Sequence, residues 1–501
     1  MNKVMGTQSE VQIVWFKRDL RVRDHEPLSR AAERGPVLPL YVAEPDIIGA
    51  PDFSPRHWAL IEGSLRELRR KLAERGQPLI VRHGKMPAVL DDFREQYANI
   101  RLWAHEETGN HWTARRDERV RDWASDHGVP FTEVPSMGVT RGLETRDGWV
   151  DKWEAMVGND PIPAPEALRP ISETGSTPDP GKIPSCSDLK LGPCAVALQK
   201  PGEEAARETL DSFLNERARS YHTDMSSPLT AEESCSRMSV HLAYGTISLR
   251  SLVNAKRERR EELESKGEAK GWRQPLSAFE SRLHWHSHFI QKLEDAPRIE
   301  HESFIPEFDE LREGEFDEEL CEAWKTGHTG FPMVDACMRY LRRTGWLNFR
   351  MRAMLTSFAV HHCWLDWRKF KHFYARQMAD YEPGIHYPQL QMQSGTTGIN
   401  SIRIYNPMKQ AKDHDPDGTF IRRWVPELSG IEETEYVHEP WRMSTGEQKH
   451  HGCMLGEDYP ERILDPDPAY RRANSRILEL KNKSEIKDKA EDIYERHGSR
   501  K

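Results

Sequence analysis

Ser234, Ser236 and Ser239, with Cys235 and Arg237 between them, precede a stretch that reads as the opening of a helix. Hydroxyls and backbone N–H groups in that place suit an anion such as a phosphate without help from any base. The same pattern also serves as a plain helix N-cap, so both readings stand. His284 and His288 lie one helical turn apart, the spacing at which two imidazoles can share a metal ion, but no further ligands follow at a recognisable spacing. The seven cysteines are scattered with no CxxC pair, which argues against a zinc ribbon or a disulfide framework. Formal net charge is −9. Contact with nucleic acid needs local positive potential, and a global balance does not forbid a basic face.

The elements that must position these groups fall into two styles. At 501 residues the chain exceeds what one hydrophobic core organises, so two domains or more are expected. Residues 12–16, 37–42, 79–82, 100–104 and 130–134 are short β-branched or aromatic runs. Between them, 58–75, 86–97 and 113–127 carry apolar residues at helical spacing; Trp58, Ile61, Leu65, Leu68 and Leu72 share one face. Strand and helix in alternation predict βαβ units and a parallel sheet covered on both sides. No GxGxxG follows the first strand, so the usual dinucleotide fingerprint is absent. Nine prolines between Pro161 and Pro201 predict a linker wrapped over the surface. From about Glu204 the helical pattern runs to the end, and 470–501 reads as a charged, solvated terminal helix. No run of eighteen apolar residues exists and the first ten residues lack a signal-peptide core, so no membrane span and a cytoplasmic location are expected.

The stretch 324–428 carries the most specific information. It contains Trp324-Lys325-Thr326-Gly327-His328-Thr329-Gly330-Phe331-Pro332-Met333-Val334-Asp335-Ala336, Thr344-Gly345-Trp346, Arg350-Met351-Arg352, Asp366-Trp367-Arg368, Tyr405-Asn406-Pro407 and Asp415-Pro416-Asp417-Gly418-Thr419-Phe420. In this order and spacing the pieces resemble the C-terminal FAD-binding domain of the photolyase/cryptochrome family. Val14-Trp15-Phe16-Lys17-Arg18-Asp19-Leu20-Arg21 resembles the opening of that family's N-terminal domain, which holds an antenna chromophore. The resemblance implies an α/β fold, a Rossmann-like parallel-sheet domain over 1–136, followed after a linker (137–203) by an all-α FAD-binding domain over 204–501. It implies FAD, a second antenna chromophore of unspecified identity near Glu106, Glu107 and Asn110, and DNA containing pyrimidine dimers as partner. The implied activity is blue-light-driven electron transfer from reduced FAD to the dimer. The alternative is a cryptochrome-type photoreceptor that signals without repair, and a third reading is an unrelated nucleotide enzyme without bound flavin. One bacterial branch holds an iron–sulfur cluster on clustered C-terminal cysteines; the last sixty residues here contain only Cys453, so no metal cluster is expected. Oligomeric state is not set by the sequence.

Carried over position by position, the resemblance places Tyr221, Ser236 and Ser239 at the cofactor's phosphates and the pair Arg352 and Asp380 at the isoalloxazine. His286, Phe349 and Glu382 stand where relatives carry Arg, Asn and Asp, and Cys235 replaces a Thr. Trp285, Trp346 and Arg282 fall on the pocket for a flipped-out dimer, Arg282 in place of a Glu. Trp367 keeps the middle position of the family's electron-transfer chain, with Trp364, Tyr374, Tyr387 and Trp285 as alternative aromatics. The segment 380–395 is about two residues short. Gly384, Ile385 or His386 lies where an Asn faces the flavin, Pro388 replaces the first chain Trp, and Leu390 replaces a substrate-stacking Trp. The two-histidine arrangement of the 6-4 enzymes is missing, since Leu347 and Asn348 follow Trp346.

Overall fold

Val11–Phe16 shows no polar alternation, and all six residues are buried, as a strand covered on both faces requires. This strand, β1, lies at the centre of a five-stranded sheet with β2 (Val37–Ala43), β3 (Ile80–His83), β4 (Ile100–His105) and β5 (Phe131–Val134). The order is β3-β2-β1-β4-β5 and every pairing is parallel, with Val14 opposite Pro39 on one side and Trp103 on the other. The computed structural model describes residues 9–171, 177–194 and 196–499.

Side chains alternate between two cores, as the pleat dictates. Ile13, Trp15, Leu102 and Ala104 pack against α3 (Met86–Gln96) and α4 (His111–Asp126). Val14, Phe16 and Trp103 pack on the other face against α1 (Glu26–Arg34) and α2 (Pro55–Ala73). Trp58, Leu65, Leu68 and Leu72 of α2 are buried there, with Ile61 beside them, as their spacing predicts. The helices expected from the sequence do not include α1, a nine-residue element that buries Pro27, Leu28 and Ala31. It forms because parallel strands need a crossover, and the His25 side chain caps it by accepting from the Leu28 N–H at 3.1 Å.

The remainder is helical, and the proline-rich segment lies against the sheet through Leu168, Ile171 and Ile183. Inside the expected linker, Trp149–Val157 forms a helix whose Trp149, Trp153 and Val157 belong to the same core as Phe213, Leu252 and Phe279. The loop before the helix Pro332–Thr344 is fixed by Asp335, which is fully buried. Its carboxylate accepts from Thr329 N (2.8 Å), Thr329 Oγ1 (2.7 Å), Gly330 N (3.1 Å) and Tyr459 Oη (2.5 Å). Asp415 likewise accepts from the Phe420 and Ile421 amides at 2.9 Å each. These aspartates of the signature stretch therefore hold loops rather than ligand.

Sheet and helices meet along one seam. Leu60 packs with Val240, Ala243, Tyr244 and Ala379, and Tyr244 donates to the Ala379 carbonyl at 2.9 Å. Gly245 sits at φ +60°, where a Cβ would stand 2.1 Å from the Arg18 carbonyl oxygen, so the close approach needs glycine. No helix among the described residues is long and apolar enough to cross a membrane.

Candidate functional site

Five pieces of the helical part surround a cavity of about 630 Å³, a volume within the range of small-molecule and cofactor sites. They are the loop into α5 (Ser239–Ala243), the middle of α6 (Arg273–Asp295), the start of α7 (Phe349–Ser357), the turn at Asp380, and α9 (Pro383–Ser394); α8 (Trp367–Gln377) adds Tyr374. Tyr221, Ser236, Ser239, Arg282, Trp285, His286, Trp346, Phe349, Arg352, Asp380 and Glu382 all line it. Trp367 does not. It is buried in the helical core, donates to Ser303 Oγ at 3.3 Å, and lies under the Lys371 ammonium at 5.8 Å. A cation at that place opposes a positive charge on the indole, so the reading of Trp367 as an electron relay gains nothing from its surroundings.

Arg352 and Asp380 form the pair expected from the sequence. Arg352 Nη2 lies 2.9 Å from Asp380 Oδ2, and Nε donates to the Leu347 carbonyl at 2.6 Å, which aims the guanidinium. Burial pushes the Asp380 carboxyl up, but Arg352 outweighs it and holds the group below the usual carboxylate range. Glu382 is tied across the seam: Arg18 Nη2 reaches its Oε2 at 2.6 Å, and Oε1 accepts from Gly384 N at 3.2 Å. Glu382 thereby caps α9, the segment in which this chain departs most from its expected pattern. Two residues shape α9. A Cβ on Gly384 would lie 2.7 Å from Ile290 Cα, so glycine lets α9 touch α6. Pro388 lies inside the helix and supplies no N–H to it.

The phosphate loop differs in one respect from its sequence reading. The helix it leads into, α5, spans five residues, too short for a helix end to be the main anion attractor. Ser236 Oγ accepts from the Met238 amide at 3.4 Å in a turn ahead of the helix, whose N-cap Met238 has no side-chain cap. Positive charge comes instead from Arg237, held at φ +61° with its guanidinium 4.1 Å from the Trp346 ring centroid. Arg282, Arg350 and Arg403 add to it, so a chain of net charge −9 carries a basic cavity. Trp285 (43 % exposed) and Phe349 (47 % exposed) stand partly in solvent, and the Arg282 guanidinium lies 5.4 Å from the Trp285 centroid.

The histidines at the cavity are neutral near pH 7. Burial pushes His286 down to about 4, with Arg18 adding to the effect, and burial takes His386 to about 3. Burial also raises the Cys235 thiol to about 12, so it is no nucleophile. His284 stacks on Trp153 at 3.8 Å rather than meeting His288 over an ion. Among the described residues the three potential ligands that converge are Asp19, His25 and His105. His25 Nδ1 accepts from Leu28, which leaves the ring proton on Nε2, 2.9 Å from Asp19 Oδ2. That nitrogen cannot also offer a lone pair to a metal, so the trio is a carboxylate held by two imidazoles.

Fit to FAD can be tested on the lining itself. Arg237 Nε, His286 Nδ1, Asn348 Oδ1, Arg350 Nε, Asp380 Oδ1 and Gln389 Nε2 are buried without hydrogen-bond partners, and all six residues line this one cavity. Each unmet group costs about 1–3 kcal/mol, so their convergence marks a ligand with both donors and acceptors. A dinucleotide with a diphosphate and a heteroaromatic ring edge meets that description. Arg237, Asn348, Arg350 and Gln389 were absent from the expected site. Arg237 and Arg350 lie within the informative motifs, and His386, Gln389, Leu390 and Gln393 follow helical spacing, so a face count on α9 finds them. Arg18 leaves no such signal, being 364 positions from Glu382.

The region expected to hold an antenna is closed in this conformation. Glu107 pairs with Arg116 at 2.6 Å, and Asn110 caps α4 and donates to Asp52 at 3.0 Å. The neighbouring cavity at the carboxyl ends of β1 and β4 is only about 30 Å³, so a chromophore there requires side chains to move.

Comparison with known proteins agrees with this geometry. Residues 279–479 match the FAD binding domain of DNA photolyase, and residues 12–142 match DNA photolyase. A deoxyribodipyrimidine photo-lyase of Streptomyces griseus is 31 % identical over 91 % of this chain and 96 % of its own length. A cryptochrome DASH of Gloeobacter violaceus is 30 % identical over 90 % and 93 %. The crystal structure of a bacterial class III photolyase from Agrobacterium tumefaciens superposes with a TM-score of 0.83 at 26 % identity, covering 96 % of this chain and 99 % of that one. The chain belongs to the photolyase/cryptochrome family.

Proposed function

We propose that this protein is a blue-light-driven photolyase that binds FAD in the helical cavity and repairs pyrimidine dimers in DNA. The observation that carries this reading is the set of six unpartnered buried polar atoms around one basic cavity bordered by exposed Trp285 and Phe349. Reduced FAD, when bound, supplies the light-excited electron that splits the dimer and accepts it back.

The chain's own residues act around that chemistry. Arg237, Ser236 and Ser239 hold the diphosphate, with Tyr221 beside them. Arg352, fixed by Asp380 and Leu347, lies at the ring and favours negative charge on it. His286 and His386 stay neutral and offer an N–H without adding charge. Trp285 and Trp346 take the unstacked bases of the lesion by stacking, and Arg282 and Arg350 meet flanking phosphates. Tyr374 lines the cavity 5.5 Å from Trp324 (ring centroids), a spacing suited to one electron-transfer step where Pro388 supplies none. Supporting the alternative, signalling reading are the cryptochrome DASH relative and the departures at Arg282, Pro388 and Leu390.

The test is repair of ultraviolet-irradiated oligonucleotides by the flavin-loaded protein under blue light with a reductant. Loss of cyclobutane or 6-4 lesions in light and not in darkness is the expected result. A flavin-bearing protein that removes neither, yet binds a protein partner on illumination, would establish the photoreceptor instead. A protein that retains no flavin overturns both.

A further inference from the structure

Away from the cavity, three basic side chains from three separate segments gather in one buried cluster, two of them beside a carboxylate. Arg146 comes from the loop before the helix Trp149–Val157, Lys292 from the last turns of α6, and His497 from the end of α10 (Ser484–His497). They are 3 %, 7 % and 4 % exposed. The carboxylate is Asp295, whose Oδ1 already accepts from Gln291 Nε2 at 2.7 Å. Arg146 Nη2 lies 3.1 Å from Asp295 Oδ2, yet none of the three guanidinium nitrogens makes a hydrogen bond, so the fork is not aligned on that acid. His497 Nδ1 is 3.9 Å from the same oxygen and is also unpartnered. The Lys292 ammonium faces the Phe289 ring at 5.3 Å, and no hydrogen bond or ion pair to it is found among the described residues.

Arg146 thus engages its one carboxylate poorly, and the buried Lys292 cation near it has no counter-charge among the described residues. Contact with the rings of Trp149 and Phe289 softens this but does not replace a counter-charge. Water can satisfy donors but brings no charge. Shedding the Lys292 proton, whose pKa burial and Arg146 pull down to about 7, leaves the Arg146 donors unmet. A group with several oxygens and negative charge answers both needs, since a guanidinium fork pairs naturally with two oxygens. Burial of all three residues favours a free ion over the phosphodiester of a polymer.

We propose that Arg146, Lys292 and His497 form a binding site for a small oxyanion of the phosphate or sulfate class. Bound there, the ion joins the 139–149 loop and α10 to α6, the helix that carries Arg282, Trp285 and His286 into the main cavity.

The test uses the flavin-loaded protein, so that its diphosphate-binding groups are occupied. Sulfate, and separately inorganic phosphate, is titrated by calorimetry against a chloride background of matched ionic strength. The expected result is saturable binding to the wild type that weakens at least tenfold in Lys292→Met and in Arg146→Gln. Lys292→Met removes an unpaired buried charge at similar volume and is expected to fold, which its circular dichroism and flavin absorbance will show. If Arg146→Gln does not fold, Lys292→Met alone decides. No saturable binding by the wild type, or binding unchanged in Lys292→Met, overturns the proposal.

Discussion

Arg352 shows how much depends on a single pair. Its partner Asp380 is almost wholly enclosed, and only one of its oxygens is met by the guanidinium. Arg352→Met leaves a buried carboxylate without a cation, an event that typically costs about 3–5 kcal/mol. Denaturant unfolding of the flavin-free protein is expected to show that loss, with a smaller one for Asp380→Asn. The neutral histidines give a second expectation, in pH. A histidine takes a proton near 6.5 in an unfolded chain. His286 and His386 do so near 4 and 3 in the fold. Between those values the unfolded chain binds more protons, so stability falls as pH drops from about 6.5 towards 4 and this contribution levels off below the folded values. His286→Asn is expected to flatten the curve by about 1.4 kcal/mol per pH unit across that window. An unchanged slope would mean that His286 is charged in the fold.

Among the elements, α9 decides whether the cavity can accept what its lining implies. Its start is capped by Glu382, its second residue is packed against Ile290, and its interior holds Pro388. Gly384→Ala places a methyl 2.7 Å from the Ile290 backbone, so the helix must move away from α6. Overpacking of this kind costs about 1–3 kcal/mol, and the displaced wall is expected to raise the dissociation constant for flavin at least tenfold. Equilibrium release measured by flavin fluorescence checks this. Much of the arrangement was legible beforehand: alternation gave the sheet, and the motif order gave Arg352, Asp380 and the residues around Trp346. Other parts were not. The crossover helix α1 is only nine residues long, with Pro27, Leu28 and Ala31 as its buried face, and the helix Trp149–Val157 lies inside the linker that the family resemblance implies, ahead of the proline-rich stretch. The aspartates at 335 and 415 stand in the most recognisable motifs, yet serve loops; a motif records what a fold repeats, whether for chemistry or for support.

For the molecule as a whole, the seam between sheet and helices is the less obvious determinant of the site. Arg18 reaches from the end of β1 to Glu382 and also donates to the Ala243 carbonyl at 2.8 Å, so one side chain ties the sheet to two walls of the cavity. Arg18→Met strands the Glu382 charge, and Glu382→Met leaves Arg18 only partly met. The double variant Arg18→Met/Glu382→Met removes both charges and is expected to recover most of the roughly 3–5 kcal/mol lost by Arg18→Met. A double-mutant cycle on unfolding free energy measures that coupling, and a value near zero would show that the contact is incidental.

The clustering of arginines behind Trp285 and Phe349, in a chain of net charge −9, has a consequence for encounter. The local positive potential draws a polyanion to the opening while the net negative charge of the chain opposes approach in general, so productive collisions are pre-oriented. Added electrolyte weakens the pull and the push together. If three phosphates are neutralised there, log affinity should fall with log salt at a slope of roughly −3, well short of what an evenly basic binder shows.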